Sequence, residues 1–141
     1  MTMQDDLLKN LRRENGVALM FIDGEFSAAS DGGTSVCVNP ANGEVIVKVA
    51  EGTAADAKRA ILAARAAFDK GPWGESLAQE RARLLNKLAD SIDEHAEELS
   101  RLETLNNGKP LRETQYDMAA AANCFRYYAG LATKPHGQTF D

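Results

Sequence analysis

At Thr53 the chain changes its period. Before it, short apolar and β-branched runs are separated by turn dipeptides; after it, apolar residues return every three or four positions. A fold that obeys this pattern places its strands first and its helices after. Residues 17–22 (VALMFI) predict a strand, Asp23-Gly24 a two-residue turn and Glu25-Phe26 the start of the returning strand. The small, polar stretch 27–33 reads as loop. Residues 35–38 and 44–49 predict a second hairpin, with Asn42-Gly43 between them able to supply the positive φ of a tight turn. Alternation in 44–49 places Val45, Val47 and Val49 on one face and Glu44, Ile46 and Lys48 on the other.

The helical part is punctuated as clearly. Thr53 with Asp56 resembles a capping box and opens a helix that runs to about Lys70. Gly71-Pro72-Trp73-Gly74 breaks it. Ser76 with Gln79 is a second capping signature, followed by a stripe of Leu77, Leu84, Leu85, Leu88 and Ile92. Leu99, Leu102 and Leu105 share a face of a continuation or further helix that ends at Asn107-Gly108. Pro110 suits the first turn of a last helix reaching about Gly130. Two β-hairpins followed by three or four helices would form a small α+β domain if the chain stood alone, or one lobe of a larger α/β protein. The final residues, Lys134-Pro135-His136-Gly137-Gln138-Thr139-Phe140-Asp141, read as a loop entering another strand, which favours the second arrangement.

Composition removes several functions. With 44% hydrophobic and 26% charged residues in 141, the chain is globular rather than disordered. A net charge of −5 gives no basic footprint for nucleic acid. No apolar run is long enough to span a membrane, and the polar, mixed-charge residues 1–15 lack the apolar core of a signal peptide. Two distant cysteines make no disulfide framework, so a reducing, cytoplasmic location is expected.

Side chains with chemistry are few. Cys37 lies mid-strand and Cys124 late in an alanine-rich helix, a pattern that predicts inert core thiols. His95 and His136 have no Cys, Asp or Glu at zinc spacing. Gly32-Gly33 and Gly108-Lys109 lack the strand-then-helix context of a phosphate cradle, and Lys109 reads as a solvated loop lysine. Trp73 is expected to anchor its loop on the adjacent helix, and one of Tyr127 and Tyr128 to face the core.

Six segments, in order and spacing, carry a further signal. They are Phe21-Ile22-Asp23-Gly24-Glu25-Phe26, Asn39-Pro40-Ala41-Asn42-Gly43-Glu44-Val45-Ile46, Ala63-Ala64-Arg65-Ala66-Ala67-Phe68, Arg83-Leu84-Leu85-Asn86-Lys87-Leu88-Ala89-Asp90, Glu103-Thr104-Leu105-Asn106-Asn107-Gly108-Lys109-Pro110 and Phe125-Arg126-Tyr127-Tyr128-Ala129-Gly130. Together they resemble the amino-terminal part of an NAD(P)-dependent aldehyde dehydrogenase, over roughly residues 18–140. Mixed charge and scattered leucines make residues 1–16 an N-terminal arm, frayed or a short helix. The resemblance implies an α/β parent fold in which 17–134 belong to the cofactor-binding domain (hairpins 17–50, helices 53–132) and 135–141 begin an oligomerisation strand. It implies an enzyme that oxidises an aldehyde to a carboxylic acid with NAD or NADP and assembles as a homo-oligomer, a dimer or tetramer. In that family a cysteine thiolate attacks the aldehyde, a glutamate activates water and an asparagine helps hold the alkoxide. None of those residues, nor the nucleotide-binding stretch, matches a position in 1–141. No catalytic or cofactor-binding residue is therefore expected here, and the chain alone should be inactive. A naturally short, non-catalytic module that associates with full-length subunits is the alternative. Two lesser sites carry over by position: Tyr116 and Ala120 as lining of a substrate tunnel, and Cys37, Val38 and Asn106 as ligands of a structural monovalent cation. At the last of these the family's usual aspartate is replaced by asparagine.

Overall fold

The computed structural model describes residues 7–137. Asn15 and Gly16 both take positive φ, 50° and 79°, which is the backbone of a two-residue hairpin turn. Arg13–Glu14 (β1) therefore folds back on Val17–Ala18 (β2). This corrects the expected arm over residues 1–16, whose residues 1–6 lie outside the described residues. It also corrects the single strand expected over 17–22. The Leu19 N–H is taken by the Arg12 carbonyl at 3.0 Å, and Met20–Ile22 (β3) leaves for a different sheet. Six consecutive apolar residues suit either sheet, so the pairing partner, not periodicity, decides where the strand divides.

β3 pairs with Glu25–Ser27 (β4) across Asp23 and Gly24, at φ 57° and 79°, as the Asp-Gly signal predicts. Phe21 faces Phe26 across this ribbon with ring centroids 4.9 Å apart. Thr34–Val38 (β5) and Val45–Ala50 (β6) form the remaining hairpin. Its connection is longer than a two-residue turn. The Asn39 N–H donates to the Glu44 carbonyl at 2.8 Å, and only Gly43 of the Asn-Gly pair has positive φ. β2 joins β6 in parallel, giving a four-stranded sheet in the order β1-β2-β6-β5.

Ala54–Lys70 (α1) starts with the predicted capping box: Thr53 Oγ1 accepts from the Asp56 N–H, and Asp56 accepts from the Thr53 N–H. Pro72–Glu75 (α2) is a single helical turn inside the expected break. Ala78–Glu94 (α3) begins one residue later than the Ser76/Gln79 signature. Glu80 accepts from the Leu77 N–H at 2.9 Å, while the Ser76 carbonyl is occupied by Arg81 Nη1 at 2.6 Å. Ala96–Asn107 (α4) ends at Gly108, whose φ of 78° makes it a left-handed cap, and Leu111–Leu131 (α5) follows Pro110.

α5 is the centre of the helical layer, packing on α3 and α4. Small residues line the seams: Ala89, Ala122, Ala129, Ser100 and Thr114 are all buried, and Thr114 and Ser100 are the largest side chains that are fully so. Arg126 of α5 reaches Asp90 (2.8 Å) and Asp93 (2.6 Å) of α3, fastening the seam at its rim. The core is thin for the mass. A folded monomer of this size exposes about 7,100 Å², whereas this chain exposes 10431 Å². The expected α3 stripe shows where the excess comes from: Leu85 and Ile92 are half-buried, but Leu77, Leu84 and Leu88 are exposed. On α1, Ile61, Leu62 and Phe68 are exposed too. Periodicity identified faces fit for burial, and no other described element covers them.

Candidate functional site

Burial divides α5 into two faces. Thr114, Met118, Ala122, Phe125 and Ala129 recur at three- and four-residue spacing and turn inward. Tyr116, Ala120, Asn123 and Tyr127 lie on the opposite side and are exposed, Tyr116 to 77%. Tyr116 and Ala120 are thus neighbours, one turn apart, on a ridge that faces away from the core. Tyr127 and Tyr128 are both exposed and touch edge to face at 5.4 Å between centroids. The expectation that one of them faces the core is corrected, because Phe125 and Ala129 occupy the inward positions. Trp73, expected to anchor its loop, is also half exposed.

The second set of predicted residues meets at a corner between β5 and α4. The Cys37 thiol donates to Asn106 Oδ1 at 3.0 Å, joining residues 69 apart in sequence. Beside them the β5–β6 connection touches the α4–α5 junction, where a Cβ added to Gly108 would stand 2.8 Å from Pro40 Cγ. Gly108 is required twice over, by its left-handed φ and by this approach. Val38 is exposed, and the register of the hairpin shifts between Cys37 and Val38. A cavity of about 400 Å³ opens next to the corner, lined by Leu7, Asn39, Thr104, Leu105 and Leu111 among others. A cation at this corner would meet backbone carbonyls and one amide oxygen, with no carboxylate in the set. Among the described residues, no group of three or more His, Cys, Asp or Glu side chains converges to hold a metal.

The thiols are not core residues as expected: Cys37 is half-buried and Cys124 exposed. Among the described residues the Cys37 thiol bonds to Asn106, while Nδ1 of His95 lies against the Ser91 carbonyl and that of His136 against the Lys134 carbonyl, each at 2.8 Å. No nucleophile–base pair is assembled among the described residues.

Three ionic groups have partners that the sequence did not reveal. Lys109 pairs with Asp117 rather than standing free, and its hydrogen bond to Asp117 raises its pKa. Arg126 is raised by its hydrogen bonds to Asp90 and then Asp93. Two acids three residues apart on α3 were a legible signal for such a bridge. Asp56 is buried, and the N–H groups of Thr53 and Ser30 hold its carboxyl well below the usual range, outweighing the opposing effect of burial. Arg126 pins α5 to α3, Asp56 ties the loop at Ser30 to the start of α1, and Lys109 fastens the α4–α5 connection to α5.

The function of such a scaffold depends on what it belongs to. Residues 26–141 match the model of the aldehyde dehydrogenase family. The chain belongs to the aldehyde dehydrogenase family. It is 47% identical over 121 residues to aldehyde dehydrogenase family 2 member B4, mitochondrial, of Arabidopsis thaliana, covering 85% of this chain and 22% of that protein. It is 46% identical over 125 residues to the putative aldehyde dehydrogenase DhaS of Bacillus subtilis, covering 88% of this chain and 25% of the other. Betaine aldehyde dehydrogenase from Staphylococcus aureus, solved in complex with NAD+, superposes with a TM-score of 0.87 at 45% identity, over 98% of this chain and 26% of that one. The chain therefore spans about a quarter of the length of these relatives and corresponds to the amino-terminal segment of an aldehyde dehydrogenase. No helix among the described residues is long and apolar enough to cross a membrane.

Proposed function

We propose that these 141 residues serve as the amino-terminal scaffold of an enzyme that oxidises an aldehyde to a carboxylic acid with NAD+ or NADP+. The observation that carries the reading is the match to the aldehyde dehydrogenase family over residues 26–141. The NAD+ bound by the Staphylococcus aureus relative favours NAD+ as the cofactor. The excess exposed surface fits the same role: the bare apolar side chains of α1 and α3 are faces for covering a neighbouring structure rather than for meeting water. In this reading Tyr116 and Ala120, on the outward ridge of α5, line the approach of the aldehyde. The aromatic ring and the methyl group would select substrate by shape and leave bond-making to groups outside the chain. Subunits of such an enzyme would assemble as a homo-oligomer, with the last residues near the interface. Residues 138–141 lie outside the described residues.

The test is turnover by the purified 141-residue chain, given NAD+ and then NADP+ with a panel of aliphatic and aromatic aldehydes. Nicotinamide reduction, followed by absorbance, should stay at the buffer rate, and titration with NAD+ should give no saturable signal from Trp73. Aldehyde-dependent turnover would overturn the reading, because it would require a nucleophile and a cofactor site within these residues.

A further inference from the structure

The corner between β5 and α4 is where the family resemblance and this chain's own chemistry disagree. A structural alkali cation needs oxygen donors that together offset its dehydration, and a formal negative charge among them contributes strongly. Here the position expected to supply that charge is Asn106, a neutral amide. Its oxygen is already engaged: Cys37 Sγ donates to Asn106 Oδ1 at 3.0 Å. The thiol hydrogen takes one of the two lone pairs of Oδ1 and leaves a neutral oxygen with a single lone pair for any ion there. The neighbouring acid on α4, Glu103, accepts from Asn107 Nδ2 at 3.3 Å. The junction is also held by means that need no ion, since the Gly108 backbone lies against Pro40.

We infer that this chain closes the β5–α4 corner with a neutral thiol–amide hydrogen bond in place of a bound monovalent cation. Cys37 and Asn106 act as one unit. The thiol occupies the amide oxygen, and together they tie the edge strand to the last turn of α4. The corner's integrity is then indifferent to which alkali ion is in solution.

Thiol reactivity provides the test, with Cys124 as an internal reference because it is exposed on α5. The 141-residue chain is alkylated with iodoacetamide in potassium, sodium or choline chloride at equal ionic strength, and both cysteines are followed by peptide mass analysis. The expected result is that Cys37 reacts several-fold more slowly than Cys124, with the same ratio in all three salts. Asn106→Ala should raise the Cys37 rate toward that of Cys124. Asn106→Asp, which restores a carboxylate, should make the ratio depend on potassium or sodium against choline. The inference is overturned if wild-type Cys37 reacts as fast as Cys124, if its protection requires an alkali ion, or if Asn106→Asp gains no ion dependence.

Discussion

Replacing Thr114 with valine should test whether the helical seam is held by a polar contact or by shape alone. Thr114 is completely buried, and its hydroxyl donates to the Leu111 carbonyl at 3.0 Å and meets Thr104 Oγ1 at 3.0 Å. Since its hydrogen is used on Leu111, it accepts from Thr104, and so joins α4 to α5. Valine keeps the volume and loses both contacts. A net hydrogen bond contributes about 0.5–1.5 kcal/mol, with a further cost where the abandoned partner stays dry. Both abandoned partners have recourse. The Leu111 carbonyl sits in a helix that offers it a backbone donor, and Thr104 lines the cavity at the α4–α5 junction, where water can reach it. The loss should therefore be about 1–2 kcal/mol, near the sum of two ordinary hydrogen bonds and without a full burial penalty. Urea unfolding followed by circular dichroism would measure it for Thr114→Val, Thr104→Val and the double variant. The two single losses should exceed the double loss by about 0.5–1.5 kcal/mol, the coupling of side chains in direct contact. Additive losses, or a Thr114→Val midpoint equal to wild type, would show that packing alone holds the seam.

Two other outcomes follow from single positions. Gly108→Ala forces a side chain into left-handed backbone and against Pro40, so it should destabilise by at least about 1–2 kcal/mol in the same urea assay, whereas a neutral result would mean the cap is not formed. The folded-state pKa of Asp56 is depressed, so its contribution is present above the unfolded value of about 3.8 and is lost as pH falls below it. Wild type should lose stability more steeply than Asp56→Asn between pH 5 and 3, and parallel slopes for the two would refute that origin.

Local chemistry is legible without a structure where its partners lie within a few residues. Asp23-Gly24 imposes positive φ by itself, Thr53 and Asp56 cap one another, and Gly108 ends α4, because each effect is confined to a single turn of backbone. The resemblance to aldehyde dehydrogenases was readable for a related reason, as six short segments keep their order along the chain. Other features required the fold. The division of residues 17–22 between two sheets depends on β6 arriving from far along the chain to pair with β2, Val17 against Lys48 and Ala18 against Val49. The Asn15-Gly16 turn carries the same signal as Asp23-Gly24, but charged residues before it hid the strand Arg13–Glu14. The resemblance grouped Cys37 and Asn106 only as ligands of one expected cation. Only the packing of β5 beside the end of α4 made them a hydrogen-bonded pair, and periodicity could not say that half of the apolar stripes would be left uncovered. A helix face records only that it is apolar; whether something lies against it is decided by the three-dimensional arrangement of the other elements.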